Sequence, residues 1–406
     1  MKVLAANKYY FVKGGTERYF FELNRILAEH GHEVVPFAME HEWNEPSHYA
    51  DWFVSEEPFD EGEGFFEKVR AAGRVLYSWE ARRKIEGLVD RTRPDVAHLH
   101  NIAHQLSPSI IDGLRSRGVP VVQTLHDYKL VCPNYKMFVE GRTCERCKGW
   151  RYYNAVLHRC MRDSVASSAL VALETLVHRV AGTYARGVDL FIAPSDDLRH
   201  RMIAHGVRAE KIVHFPHAIA LDEYSPRYEA EGYGVFVGRL SEGKGLETLL
   251  GALGRVPSVR MKIVGSGPLG RVLKERAAAA VLSNVEFEGR RTGEDLRSIV
   301  GGALFVVVPS ECYENSPITV YEAFAQGKPV VGSRIGGIPE LVLDGETGLT
   351  FEPGNEGELA ERMSKLWGDT ELAFGMGRAA RARAETEFNP DTHYERVMAV
   401  YERVTT

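Results

Sequence analysis

Long apolar runs are missing from this 406-residue sequence. Stretches such as residues 303–308 fall far short of the roughly 18 residues that a bilayer-spanning helix needs, so an integral membrane protein is not expected. An excess of one charge is missing too. Fifty basic against 56 acidic side chains leave a formal net charge of −6, which speaks against a protein built to grip nucleic-acid backbone. Cysteine is scarce and odd in number, five in all, so a disulfide framework is not the expected basis of the fold. With 44% hydrophobic and 26% charged residues there is no compositional bias, which excludes wholesale disorder and fibrous repeats. The length leaves room for the cores of two domains. Met1 and Lys2 run straight into Val3, Leu4, Ala5 and Ala6, too little for the apolar part of a secretion signal. This reads as a first strand, from which a cytoplasmic protein is expected, with contact at the inner face of the cell membrane at most peripheral.

Short apolar strands alternate with helical segments almost throughout, the pattern of α/β units around parallel sheets. Strands are predicted at residues 2–6, 33–38, 95–99, 119–124, 190–193 and 212–215, and then at 235–237, 261–264, 285–288, 304–308 and 329–331. In the first helix Phe20, Leu23 and Leu27 share one face, with Thr16 as N-cap and Gly31 as the stop. Two Rossmann-like halves are expected, residues 1–220 and 221–388, with a helix at 389–406 crossing back to the first. Two stretches break the rhythm. Residues 40–63 are acidic, carry Trp43 and Trp52, and read as a solvated loop or lid. Residues 129–163 are basic, hold four of the five cysteines, and read as an insertion in the first domain.

In the second half, strand after strand runs into a Gly-rich or polar turn that opens a helix. In a parallel sheet all such turns lie at the carboxyl edge, where open α/β sheets bind ligands, so they are expected to converge. Gly265, Gly267 and Gly270 fit G-x-G-x-x-G, with Glu286 and Glu288 near the distance of a ribose-binding acid. A dinucleotide-dependent oxidoreductase is therefore one alternative, although the run does not follow the first strand of its domain. Arg239 and Lys244 lie on one glycine-punctuated loop, 238–245, and suit a diphosphate, bidentate guanidinium beside point-charge ammonium. Ser316 and Pro317 read as N-cap and N1 of a helix ending near Gly327, with Glu314 in the loop before it. Glu322, among Val320, Tyr321, Ala323 and Phe324, needs a hydrogen-bonding partner there; a ribose diol or a neighbouring backbone group would serve. The amides of Asn315, Ser316 and Ile318 face an anion or hydroxyl at that helix start.

These pieces together resemble a family 4 retaining glycosyltransferase of the GT-B fold, also called glycosyltransferase group 1. The resemblance rests on KGGTERYFFEL from Lys13, HLHN from His98, TLHDY from Thr124 and VGRLSEGKGLETLL from Val237, then VGSGP from Val264 and FEGRR from Phe287. It continues with E-x7-E from Glu314 to Glu322, then GSRIGGIPELV and GETGL, and covers nearly the whole chain. It departs at Phe215, where FPHAI replaces the common Pro-Asn-Gly, and at Asn315, where Asn-Ser-Pro replaces Gly-Phe-Gly. The implied fold is two Rossmann-like, doubly wound parallel-sheet domains facing a central cleft. By the same resemblance Arg239 and Lys244 hold the nucleotide diphosphate, Glu322 the ribose and Glu314 a donor-sugar hydroxyl. Gly265, Gly267 and Arg290 fall among the donor-binding motifs, and Gly14 and Gly15 let backbone approach the donor. His126 matches the active-site histidine that contacts the donor sugar, and His100, Asn101 and Asp127 are acceptor-side candidates. The donor would be a UDP- or GDP-sugar and the acceptor a glycan or lipid-linked molecule. No Asp-x-Asp occurs in the chain, so no catalytic metal is expected.

Cys132, Cys144, Cys147 and Cys160 give C-x11-C-x2-C-x12-C, spacing that suits a structural zinc. Free or redox-labile thiols and an iron–sulfur cluster are the alternatives. Basic residues of this insertion could attract an anionic acceptor such as a lipid-linked diphosphate, or form a solvated surface. A two-domain sugar-binding protein without chemistry is the remaining rival class.

Overall fold

A computed structural model describes residues 1–56, 73–104 and 106–406. Of the acidic stretch at 40–63, residues 57–63 lie outside the described residues. The chain divides into two compact units, one made of residues 1–137, 145–215 and 393–406 and the other of 138–144 and 216–392.

In chain order the strands of the first sheet are β1 (Lys2–Ala6), β2 (Glu33–Phe37), β3 (Val96–Leu99) and β4 (Val121–Thr124). A short antiparallel hairpin of β5 (Phe138–Val139) and β6 (Arg142–Thr143) belongs with the second unit. β7 (Leu190–Ala193) and β8 (Ile212–His214) complete the first sheet, whose order is β2-β1-β3-β4-β7-β8. Its pairings are all parallel. β3, β4 and β7 are buried at every position, as parallel strands covered on both faces must be. Helix Gly15–Glu29 buries Tyr19, Phe20, Leu23, Ile26 and Leu27 along one stripe. It starts earlier than the Thr16 cap expected from sequence, because the Glu17 carboxylate accepts from the Gly14 amide at 3.0 Å and closes the first turn there. Helix Pro390–Thr405 places Val397, Val400 and Tyr401 in the core of this unit, against Tyr19, Leu23 and Leu27.

The second sheet contains β9 (Gly234–Val237), β10 (Met261–Val264), β11 (Val285–Gly289), β12 (Val306–Val308), β13 (Val330–Ser333) and β14 (Gly348–Phe351), in the order β11-β10-β9-β12-β13-β14. It too is wholly parallel. Predicted strands match observed ones to within two residues at each end. β14 and the hairpin are additions, since four residues of GLTF and two-residue strands carry no readable period. Among the described residues no helix is long and apolar enough to cross a membrane.

Close backbone approach fixes the loops at the carboxyl edge of this sheet. Gly245 has φ +67°, and a Cβ there would sit 1.7 Å from the Pro309 carbonyl oxygen; at Gly265, φ +145°, it would meet the Gly238 carbonyl at 1.8 Å. Neither contact can yield without moving backbone. Gly245→Ala is therefore expected to lower stability by about 1–3 kcal/mol. Gly254→Ala, on the exposed side of helix Leu246–Arg255 with only Leu282 nearby at 3.6 Å, should raise it by up to about 1 kcal/mol. Urea unfolding of the two variants reads out the opposite signs.

Candidate active site

A parallel sheet opens a crevice where its strand order reverses, because the loops on either side leave in opposite directions. In the second sheet that point lies between β9 and β12. The flanking loops are 238–245, with Arg239 and Lys244, and 309–317, with Glu314. Backbone hydrogen bonds stitch the edge together. The Glu311 and Cys312 amides donate to the Gly243 carbonyl (2.8 and 3.1 Å), that of Leu240 to Ser266 (3.0 Å), that of Gly265 to Gly289 (2.8 Å) and that of Gly337 to Glu314 (2.7 Å). The motif-bearing turns are thus brought together.

Across the crevice the Lys244 ammonium donates to Glu314 Oε1 at 2.5 Å, and the Ser310 hydroxyl donates to the same oxygen at 2.7 Å. Desolvation opposes both charges. The mutual attraction outweighs it, holding the Glu314 carboxyl below its ordinary value and the Lys244 ammonium above its own. Both side chains stay reachable, 32% exposed for Lys244 and 14% for Glu314. The Arg239 side chain is exposed on the same loop and makes no hydrogen bond or ion pair among the described residues, while its carbonyl accepts from the Ser241 amide at 3.0 Å. Arg290 is exposed after β11, next to Gly289. One cation of the loop is therefore already compensated, and the other is open to a ligand.

Glu322 is 8% exposed, on helix Ile318–Ala325, and accepts from the Tyr224 hydroxyl at 3.4 Å. This helix begins at Ile318 with Pro317 as N-cap, one residue later than expected. Ser316 does not cap it, because its hydroxyl is bonded to Tyr321 Oη at 2.6 Å. The His217 amide donates to that same Tyr321 oxygen at 3.2 Å, and Asn315 is buried. The two segments that depart from the family pattern, FPHAI and Asn-Ser-Pro, are thus tied through one tyrosine. Behind the Gly265 run, Glu288 is held by Lys262 at 3.3 Å and Arg291 at 3.2 Å. That carboxylate is engaged, Glu286 is exposed, and β10, which leads into the run, is not the first strand of its sheet, which counts against the dinucleotide alternative.

In the first sheet the order reverses between β1 and β3. The loop after β1 ends at Gly14, whose amide is taken by Glu17 rather than left open for an anion. Gly15 begins the helix. Burial raises the Glu17 carboxyl pKa, against the opposing bonds from Asn7 and Gly14. After β3, the buried His100 shares a hydrogen bond with His126, Nδ1 to Nε2 at 3.0 Å, and their rings stack 5.3 Å apart. Desolvation pushes the His126 imidazole down to about 3, so at physiological pH it is neutral. The Asn101 amide donates to Asn7 Oδ1 at 3.2 Å, and Asp127 accepts from the Lys129 amide at 2.8 Å. Desolvation raises the Asp127 carboxyl, with Lys129 working against it.

A separate pocket in this unit is bounded by Lys129, Glu174, His178, Tyr184 and Lys211, and none of His100, Asn101, His126 and Asp127 lines it. Glu174, 2% exposed and paired with Lys129 at 2.7 Å, was missed from the sequence. The signal existed: it is the one acid in the apolar helix Val165–Ala181, the same reasoning that singled out Glu322.

The cysteines do not assemble as expected. Cys132 donates to Asn134 Oδ1 at 2.9 Å, and Cys147 and Cys160 pack on Tyr152, Ala155 and Ala172, whereas Cys144 closes the hairpin segment of the other unit. None of the five is in a disulfide. Among the described residues no three His, Cys, Asp or Glu side chains gather into a group that could hold a metal, so the zinc expected from spacing has no formed site.

Comparison with known proteins completes the picture. The family model for Glycosyltransferase Family 4 matches residues 13–223, and that for Glycosyl transferases group 1 matches residues 232–369. A glycosyltransferase of Methanocaldococcus jannaschii is 30% identical over 177 residues, 43% of this chain and 48% of its own length, so the match spans about half of that relative. Glycogen synthase of Mycobacterium tuberculosis is 27% identical over 96% of this chain and 91% of its own. Among solved structures, Anabaena HepE in complex with UDP and glucose superposes with TM-score 0.71 at 18% identity, covering 99% of this chain and 100% of that one. Sucrose-phosphate synthase from Thermosynechococcus elongatus gives 0.73 at 20% identity, covering 99% and 98%. With two wholly parallel six-stranded sheets and family matches over both halves, the chain belongs to glycosyltransferase family 4, the group 1 nucleotide-sugar-dependent glycosyltransferases of the GT-B fold.

Proposed function

We propose that this enzyme moves a hexosyl group from a UDP- or GDP-sugar to a glycan or lipid-linked acceptor, with retention of anomeric configuration and without a catalytic metal. Cell-surface polysaccharide or glycolipid synthesis is the setting, in the cytoplasm or peripherally at the inner face of the membrane. The observation that carries the reading is the Lys244–Glu314 pair, which bridges the two loops at the reversal point with the exposed Arg239 beside it. Breaking the bond between the sugar C1 and the phosphate oxygen leaves a diphosphate whose negative charge grows in the transition state. Preorganised cations lower that barrier most effectively, and Arg239 and Lys244 supply them. A diphosphate competes for the Lys244 ammonium, which frees Glu314 to accept from a donor-sugar hydroxyl. Glu322 binds the ribose diol in exchange for its long bond to Tyr224. The neutral His126 imidazole offers a hydrogen bond rather than a charge to whatever it meets.

Retention follows from attack on the face the leaving group vacates. The acceptor oxygen bonds to C1 as the C1–O bond breaks, and the acceptor proton passes to a leaving phosphate oxygen. No protein nucleophile is required. Support for a nucleotide-sugar donor comes from the UDP and glucose named with the Anabaena structure. A GDP-mannose-dependent mannosyltransferase of Corynebacterium glutamicum, 32% identical over 169 residues, supports the guanosine alternative.

Screening UDP- and GDP-sugars by thermal shift identifies the donor, since the one that binds raises the unfolding temperature. Lys244→Ala and Glu322→Ala should each lower transfer about 100-fold or more with unchanged far-UV circular dichroism. Full activity in either variant sinks the site assignment. Transfer should persist in EDTA, and loss of turnover on chelation, restored by a divalent cation, overturns the metal-free reading.

The ion pair also sets an acid dependence. The Glu314 carboxyl lies below its ordinary 4.5 in the folded state, so its contribution to stability is present above that value and is lost as pH falls through the depressed one. Lys244→Ala removes the counter-charge, and acid unfolding followed by circular dichroism should move to higher pH.

A further inference from the structure

Helix Val165–Ala181 is built inside out. Its protein-facing side carries Ser168, Glu174, Thr175 and His178 alongside Val171 and Ala172, all buried. Its outward side carries Val165, Leu173, Leu176, Val177 and Val180, exposed by 52%, 48%, 39%, 42% and 66%. Positions 166, 169, 173, 176, 177 and 180 form one stripe at helical spacing, and every residue in it is Ala, Leu or Val.

Three polar groups, Glu174, His178 and Ser168, bond outside the helix and hold this orientation, while Thr175 bonds within it. Glu174 pairs with Lys129 at 2.7 Å, and His178 reaches the Leu76 carbonyl at 2.9 Å and the Thr183 hydroxyl at 3.1 Å. Thr175 Oγ1 donates to the Val171 carbonyl at 2.7 Å, and Ser168 Oγ accepts from the Met161 amide at 3.0 Å. Rotating the apolar stripe inward would carry Glu174 and His178 to solvent and break their bonds to Lys129 and the Leu76 carbonyl. The stripe is therefore fixed facing out, about 25 Å long for seventeen residues. Trp150, Tyr153 and Leu157 on the adjoining segment are 50%, 60% and 70% exposed, and the Arg179 guanidinium lies 5.4 Å from the Trp150 ring centre. An exposed apolar surface of this extent marks an interaction site.

Charge identifies the occupant. Residues 147–186 hold six cations, Lys148, Arg151, Arg159, Arg162, Arg179 and Arg186, against two acids, Asp163 and the buried Glu174, in a chain whose net charge is −6. Exposed aliphatic side chains with exposed Trp, Tyr, Lys and Arg on the adjoining segment match the interface of an anionic bilayer. A second copy paired across a two-fold axis would set this cationic segment against itself.

We propose that the outward face of helix Val165–Ala181, with the Trp150–Arg162 segment beside it, docks on an anionic lipid surface and lies in the plane of that interface. The proposal deepens the lipid-linked-acceptor reading but rests on different residues from the donor site. Leu and Val side chains enter the headgroup–acyl boundary, while Arg159 and Arg162 meet lipid phosphates.

The test is co-sedimentation of the full chain, without donor, on vesicles of phosphatidylcholine alone or with about 30 mol% phosphatidylglycerol. The protein should bind the anionic vesicles, more weakly at high salt, and largely ignore the neutral ones. Leu176→Glu/Val180→Glu and Arg159→Glu/Arg162→Glu should each lower the bound fraction about tenfold, with thermal midpoints unchanged because these positions are exposed. A wild-type chain that stays in the supernatant with both vesicles overturns the proposal, as does unaltered binding by the Leu176/Val180 variant. Light scattering that shows a dimer dissolved by Leu176→Glu/Val180→Glu overturns it in favour of a second copy. Because no donor is present, none of these results bears on nucleotide-sugar binding, and a failed donor screen does not bear on docking.

Discussion

Parallel strand pairing in the order β11-β10-β9-β12-β13-β14 places every strand's carboxyl end on one edge of the second sheet, and most of the candidate site depends on that constraint. The loops that leave β9 and β12 part there, yet they stay within hydrogen-bonding reach because Gly245 lets the backbone lie against the Pro309 carbonyl. A Cβ at that position would push the loops apart and, with them, the Lys244–Glu314 contact. Geometry of the main chain thus comes first, and the charge arrangement follows from it.

That arrangement is compensated before any ligand arrives. Lys244 is neutralised by Glu314 while Arg239 beside it remains exposed, so the loop presents one committed and one open cation. A buried or half-buried charge without a partner is costly, and an internal carboxylate removes that cost. The same economy recurs elsewhere. Glu17 takes the Gly14 amide at the start of the first helix, and Glu174 takes the Lys129 ammonium beneath helix Val165–Ala181. In that helix the polar groups are the structural anchors and the apolar ones face outward, the reverse of an ordinary surface helix.

The strands and the family were legible in the sequence because short buried runs ending in Gly-rich turns are a local signal. Helix starts were less so. Thr16 and Ser316 both look like N-caps, but Glu17 closes the first helix at Gly14, and Tyr321 claims the Ser316 hydroxyl. Each outcome depends on a competing partner for one hydrogen bond, and in the second case that partner is also bonded to His217, distant in the chain. The cysteine spacing was equally legible, but among the described residues no metal-holding group of three His, Cys, Asp or Glu side chains is formed. A thiolate site needs four sulfurs pointing at one centre, whereas these side chains point into an apolar cluster, toward Asn134, or sit in a hairpin that belongs to the other unit.

By itself the sequence determined two α/β halves, the positions of the polar turns and the family, since each is written in contiguous residues. Only the tertiary structure decided which charges are already paired, that FPHAI and Asn-Ser-Pro meet at Tyr321, and that one helix turns its apolar stripe to solvent. The physical reason is common to all three. Hydrogen bonds and ion pairs between residues tens of positions apart settle how each side chain is oriented, and neither composition nor periodicity encodes that competition.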